Sequence, residues 1–308
     1  MTRYMIGIDI GGTNFRIGAV NQEYEVLKHK IVSSRTFLEM ERPVNGLLEA
    51  IISFIKEIEG KPCGICMGFP GTVTKDKSTV LSCPNLPVFD GVNISKVINQ
   101  ALDIPVIIEH EVLLLLTNDM YHFSLFDKNC VIAIYLGTGL GNAIYIHGRM
   151  IEGANGVSGE LGHIPIPGNK TPCPCGNIGC IEPRASGKRL EEICIEKGLP
   201  EKAFTKALAD GASDPLISDF LDHVACAIAT EINILDPNCV IMGGGVMMIS
   251  NFPYDALLER IYFHTRKPFP AENLKFIRLE PDPLQGVRGA GIYAWRYMNK
   301  KKSSLPYD

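Results

Sequence analysis

Hydrophobic positions along the chain fall into two rhythms: short apolar runs, and longer stretches with an apolar residue every three or four positions. Residues 4–10 and 15–20 are apolar runs joined by Gly11-Gly12-Thr13-Asn14, and with residues 25–32 they predict three successive strands. Residues 43–58 place Leu47, Leu48, Ile51, Ile55 and Ile58 at helical spacing behind a proline, which predicts a helix. Strands are expected again at 64–69 and 106–109, and helices at 93–101 and 112–120.

The second half opens as the first does. An apolar run at 131–136, then Gly137-Thr138-Gly139-Leu140-Gly141, then residues 142–146 read as strand, glycine turn, strand. Laid over residues 5–20 the pattern matches with Leu136 opposite Ile10, an offset of 126 positions. A repeat of this kind points to two lobes of one design facing a shared cleft. Ser213-Asp214-Pro215 marks a helix start with proline in its first turn, running to about Asp236. A short strand at 239–242, a turn at Gly243-Gly244-Gly245, a helix at 253–264 and a last helix at 286–298, despite Gly289 and Gly291, complete the reading. The expected architecture is α/β with an N-terminal lobe at 1–120 and a C-terminal lobe at 121–285. The final helix, at about 286–300, is available to pack on the first lobe.

Composition narrows the classes. The 308 residues are 46% apolar and 21% charged, enough for a sizeable core and unlike a disordered chain. A net charge of -4 without clustered Lys and Arg argues against nucleic acid as a partner. No apolar run approaches the ~18 residues of a membrane span, and the N-terminus enters a strand pattern without signal-peptide architecture, so a soluble cytoplasmic protein is expected. In a reducing compartment the ten cysteines read as buried thiols, metal ligands or catalytic groups, not disulfides. Cys63 and Cys66 lie three apart in a strand pattern and so face opposite sides, which speaks against a redox pair.

Candidate chemistry gathers at the glycine turns. Gly11 and Gly12 after a strand allow backbone N–H groups to converge on an anion, with Thr13 and Asn14 adding short polar side chains. Asp9, at the strand end, is suited to holding Mg²⁺ beside the phosphates. Gly137, Thr138, Gly139 and Gly141 form a second such loop, and Gly243, Gly244 and Gly245 a third glycine turn. Three at strand ends point to a nucleotide. No Walker A motif occurs, and the loops enter strands instead of the helix a Rossmann fingerprint requires. Separately, His163 with Cys173, Cys175 and Cys180 offers one imidazole and three thiolates in a glycine-rich stretch, the ligand set of a structural zinc site pinning a loop at 163–182.

The loop DIGGTN, the run LGTGLG, the element ELGH and the cluster CPCGNIGC followed by Glu182 resemble the ROK family of sugar kinases, from about residue 5 to residue 295. The resemblance implies an actin-like ATPase fold with two lobes and the active site in the cleft between them. It implies ATP with Mg²⁺ as phosphoryl donor, transfer to the terminal (6-) hydroxyl of a free hexose, and a homodimer. By position, Asn85, Glu160, His163 and Glu182 would orient the sugar, with His163 giving its other ring nitrogen to zinc. Some members are repressors with an N-terminal helix-turn-helix; here the phosphate loop begins at Asp9, which favours the enzyme branch. One element departs from the family pattern. Where the family has Glu-Asn-Asp-x-Asn, with the Asp as catalytic base, this chain has Glu109-His110-Glu111-Val112-Leu113. Glu111 takes the place of the base, one methylene longer, and Leu113 replaces the second Asn.

Overall fold

The computed structural model describes residues 2–303. The chain divides into two compact units. One takes in the chain up to Phe126, the segment Glu152–Ser158 and the chain from Asp282 onward; the other takes in Asp127–Ile151 and Gly159–Pro281. The boundary expected near residue 120 therefore falls at 126, and Glu152–Ser158, expected in the second lobe, groups with the first. Ion pairing gives the reason: buried Lys77 bridges buried Glu109 and half-buried Glu152, tying that segment to the first unit.

The first unit is built on a five-stranded sheet. Its strands are β1 (Arg3–Ile10), β2 (Asn14–Val20), β3 (Val26–Ser33), β4 (Lys61–Phe69) and, after a small ribbon of β5 (Thr72–Val73) with β6 (Val80–Ser82), β7 (Val106–His110). The order is β3-β2-β1-β4-β7, with an antiparallel meander followed by two parallel strands. Alternation along β1 and β2 sends Tyr4, Ile6, Ile8, Ile10, Phe15 and Ile17 to one face, packed against Leu47, Ile51 and Phe54 of helix Pro43–Ile55 and Ile94 and Ile98 of helix Ile94–Leu102. Asn93 caps the latter by accepting from Lys96 N–H at 2.8 Å.

The opposite face explains why three glycines, Gly286, Gly289 and Gly291, sit inside the last helix, Gln285–Ser303. It carries Met5, Gly7, Asp9, Gly18, Gly64 and Gly68, and the helix lies directly on it. A methyl at Gly7 would stand 2.0 Å from the Val287 carbonyl oxygen; one at Gly289 would stand 2.0 Å from the Leu114 carbonyl oxygen of helix Glu111–His122; one at Gly291 would overlap Val20. Glycine here lowers intrinsic helix stability but permits backbone-to-backbone approach.

The second unit repeats the plan. Strands β8 (Cys130–Leu136), β9 (Leu140–Ile146), β10 (Arg149–Met150), β11 (Cys239–Gly243) and β12 (Phe276–Arg278) run in the order β10-β9-β8-β11-β12, again a meander followed by two parallel strands. Ile132, Ile134 and Leu136 pack on Phe220, Val224 and Ile228 of helix Pro215–Leu235. That helix starts as expected, with Asp214 accepting from Leu216 N–H at 2.8 Å and Pro215 in the first turn. Two glycines expected in turns lie in strands: Gly141 within β9 and Gly243 at the end of β11, where a methyl would meet Leu279. Helix Gly187–Glu196 and β12 were not foreseen: the helix buries only Leu190, Ile193 and Cys194 of its apolar side chains beside a polar face, and β12 is three residues long. Among the described residues no helix is long and apolar enough to cross a membrane.

Candidate active site

In the first unit the chemistry collects at the ends of β1, β4 and β7. The turn between β1 and β2 is held from behind by Ser34, whose N–H donates to the Thr13 carbonyl at 3.0 Å and whose hydroxyl donates to the Gly11 carbonyl at 2.6 Å. With its carbonyl edge so tied, the turn leaves the N–H groups of exposed Gly12 and Thr13 with no acceptor among the described residues. Asn14 opens β2, and its carbonyl accepts from Gly11 N–H at 2.9 Å. The turn carrying Asn85 lies over this loop: a methyl at Gly12 would stand 3.8 Å from the Asn85 carbonyl oxygen. That turn closes through Leu86 N–H to the Cys83 carbonyl at 2.8 Å and leaves Asn85 exposed.

Asp9 is half-buried and receives the Arg16 Nη1 at 2.9 Å. Burial raises its pKa against the lowering effect of Arg16. Glu111 is the first residue of helix Glu111–His122 and sits over Gly68, where a methyl would stand 3.5 Å from the Glu111 Cα. Gly68 pairs with Asp9 across β1 and β4, so the missing side chain at 68 is the space that brings Glu111 beside Asp9. Its carboxyl is pushed up to about 8, first by burial and then by the Asp9 charge, with Arg16 opposing. His110, just before it, is held neutral by burial, its pKa down to about 4. Leu113 is buried, so the position at which the resemblance implies a second Asn serves packing in this chain.

The second unit assembles the other set. Glu182 accepts from Leu140 N–H at 3.0 Å, and its carboxylate occupies the space above Gly139, where a methyl would stand 2.5 Å from Oε2. Gly162 makes room on its other side, and Glu182 N–H donates to the Gly162 carbonyl at 2.8 Å. Glu160 is exposed, with Oε2 3.4 Å from His163 Nε2, and burial raises its pKa, His163 lowering and Glu182 raising it in turn. Glu160, His163 and Glu182 thus come together beside the second glycine turn. Gly137 and Thr138 turn their carbonyls onto the start of helix Gly187–Glu196, accepting from Gly187 at 2.8 Å and Lys188 at 3.2 Å. Gly244 has φ +92°, a left-handed turn only glycine makes without strain, while a methyl at exposed Gly245 would meet nothing within 4 Å.

The four expected metal ligands converge. The ligand atoms of His163, Cys173, Cys175 and Cys180 all lie within 4.8 Å of one another. Cys173 Sγ is 3.6 Å from His163 Nδ1, and Cys175 Sγ is 3.7 Å from Cys180 Sγ. Ligands at zinc distances on a tetrahedron stand about 3.5–3.8 Å apart, so the set fits zinc. His163 then turns Nε2 to Glu160 while Nδ1 faces the thiols, the arrangement in which a metal fixes an imidazole. Metal analysis of the purified protein should find about one zinc per chain, and Cys175→Ser should lose the metal and weaken sugar binding. Undiminished sugar affinity in metal-free protein would remove the cluster from the site.

Sequence reading passed over Arg16. Its signal was available in the turn: pairing Ile10 with Phe15 puts Arg16 directly opposite Asp9. The face it occupies is set by that register, not by any motif.

Comparisons with known proteins agree on one group. A model of the ROK family matches residues 5–296. The chain is 28% identical over 278 residues to a glucokinase of Thermotoga maritima, covering 83% of this chain and 86% of that protein. It is 30% identical over 313 residues to an N-acetyl-D-glucosamine kinase of Vibrio atlanticus, covering 93% and 98%. The crystal structure of a ROK hexokinase from Thermus thermophilus matches with a TM-score of 0.79 at 25% identity, covering 97% of this chain and 100% of that one.

Proposed function

The chain belongs to the ROK family, and from that premise we propose that it transfers the γ-phosphoryl group of ATP to the 6-hydroxyl of free D-allose. Its fold is the actin-like ATPase fold, and as an enzyme it is an ATP-dependent sugar kinase of the hexose and hexosamine class. Allose is favoured by two stretches, MGFPGTVTKDKSTVLSCPNLP and GVSGELGHIPIPG, which within the family resemble bacterial D-allose kinase. The same resemblance supports a homodimer.

One observation carries the reading: Glu111 stands beside Asp9 at the glycine turn Gly11–Asn14, a base next to a phosphate cradle. Gly11, Gly12, Thr13 and Asn14 bind phosphate oxygens through their turn, and Gly137, Thr138, Gly139 and Gly141 through theirs. Gly243, Gly244 and Gly245 lie toward the adenosine. Asp9 would hold Mg²⁺, which offsets charge on the phosphates when bound. Asn85, Glu160, His163 and Glu182 orient the sugar, whose hydroxyls are matched by amide, imidazole and carboxylate groups. Glu111 takes the proton of the attacking hydroxyl. His163, Cys173, Cys175 and Cys180 would hold zinc, keeping the imidazole in place.

An ADP-release assay across allose, glucose, N-acetylglucosamine, N-acetylmannosamine and fructose tests this. The highest kcat/KM is expected with allose. A higher value with another sugar would reassign the substrate, and no turnover with any would defeat the kinase reading. A second reading, a sugar-binding protein without transfer, draws on Glu111 and buried Leu113 at the departing positions. It requires calorimetric sugar binding in the absence of ADP release.

A further inference from the structure

Arg16 has a bonding pattern that its partner does not exhaust. Pairing across β1 and β2 sets Arg16 opposite Asp9, and pairing across β1 and β4 sets Asp9 opposite Gly68. Residues paired in this way project from the same face, so Arg16, Asp9 and the gap at Gly68 form one row with neighbours about 4.8 Å apart. Glu111 covers the gap. Asp9 is therefore flanked by a guanidinium on one side and the proposed base on the other. Along β1 the row lies two residues before the turn whose Gly12 and Thr13 N–H groups lack acceptors among the described residues.

A structural Arg–carboxylate pair ordinarily uses the guanidinium as a fork, with two parallel N–H donors on two oxygens. Here only Nη1 reaches Asp9, at 2.9 Å, and Nε is buried with no hydrogen-bond partner. A buried donor left unpaired is costly, most of all on a charged group. The Arg16 side chain is 25% exposed, so its terminal nitrogens, not the enclosed Nε, are the donors within reach of an anion that arrives next to Asp9.

Resting on the kinase reading above, we infer that Arg16 is a further catalytic group, which binds the phosphoryl group in flight. The sugar 6-oxygen forms a bond to the γ-phosphorus as the bond to the β,γ-bridging oxygen breaks. The hydroxyl proton passes to the Glu111 carboxylate, and ADP leaves with the electron pair of the broken bond. Charge spread over the three equatorial oxygens of the moving group meets the guanidinium. Asp9 holds that guanidinium in place beforehand, so that no reorganisation is needed at the moment of transfer.

The test uses the full-length protein with Arg16→Lys, Arg16→Met and Arg16→Ala, assayed at saturating ATP and the best sugar of the screen. Arginines that act on a transferred phosphoryl are worth about 10³–10⁵ in kcat, so Arg16→Met should lose at least about a hundredfold in kcat while its KM for sugar stays within about threefold. Arg16→Lys should retain part of the lost rate, and millimolar ethylguanidinium should restore about tenfold to Arg16→Ala, a recovery that a purely structural role would not give. A kcat within about threefold of the parent for Arg16→Met overturns the inference. So does a loss that tracks a fall in melting temperature and that neither the lysine variant nor ethylguanidinium relieves. A parent protein that turns over no sugar takes down the kinase reading, and this inference with it.

Discussion

Glu111→Gln should abolish sugar phosphorylation, lowering kcat by about 10²–10⁴-fold, the range that general acid–base catalysis supplies. Gln keeps the length and nearly the volume of Glu but cannot accept the hydroxyl proton. The same carboxyl should mark the pH dependence. Burial first, and Asp9 second, raise its pKa to about 8 from the ordinary carboxyl value of 4.5. A base must be ionised to act, so kcat/KM of the parent should rise with pH and reach half its plateau near 8, where an unperturbed carboxylate would give a limb near 4.5. A limb near 4.5 with a flat profile above it would mean that the carboxyl is not held up in the working enzyme, and no limb at all between about pH 4 and 9 would remove Glu111 as the base.

Stability should move the other way. A carboxyl with a higher pKa folded than unfolded favours the folded state fully below 4.5, and that contribution is lost as pH rises through about 8. Gln cannot ionise and escapes the loss. Glu111→Gln should therefore melt above the parent at about pH 9 and close to it at about pH 4, measured by calorimetry. Lost activity paired with gained stability is the pattern of a group held against its own preference for the sake of chemistry.

Gly7→Ala and Gly289→Ala should each cost about 3 kcal/mol or more, at the upper end of overpacking effects. In each case the added methyl would stand 2.0 Å from a carbonyl oxygen, Val287 for the first and Leu114 for the second. Backbone cannot swing aside as a side-chain end can, so relief requires lifting the helix Gln285–Ser303 from the sheet. Helix propensity alone predicts the opposite sign at Gly289, a gain of about 1 kcal/mol for Ala. Urea unfolding decides between them. Gly137→Ala is the control, since its methyl would meet nothing within 4 Å. A midpoint for Gly289→Ala at or above that of the parent would refute the close docking.

Most strands and helices were legible because their signals are local. Short apolar runs bounded by turn residues gave β1 and β2 within a residue or two, β3 was read at 25–32, and Asp214-Pro215 gave the start of helix Pro215–Leu235. Helix Gly187–Glu196 was missed although Ser186 caps it, since its polar face dominates the window. The segment Glu152–Ser158 was misplaced because its anchor, Lys77, is 75 positions from Glu152 and announces itself by no motif. At the site, the four metal ligands lie within eighteen positions and could be read as a set, whereas Arg16 required the register of a hairpin.

Sequence by itself determined the composition of each cluster: two glycine turns after paired strands, a His with three Cys, and a Glu where the family resemblance implies an Asp. Those depend on residue type and short spacing, which survive in a linear string. Tertiary structure decided what the groups are worth. Gly68 is a gap only because β4 lies beside β1, and that gap lets Glu111 approach Asp9. Glu182 reaches the Leu140 N–H only because Gly139 lacks a side chain beneath it. Proton affinity and bond partners follow from the dielectric and charges within a few ångströms, and chain folding fills that sphere from positions far apart in sequence.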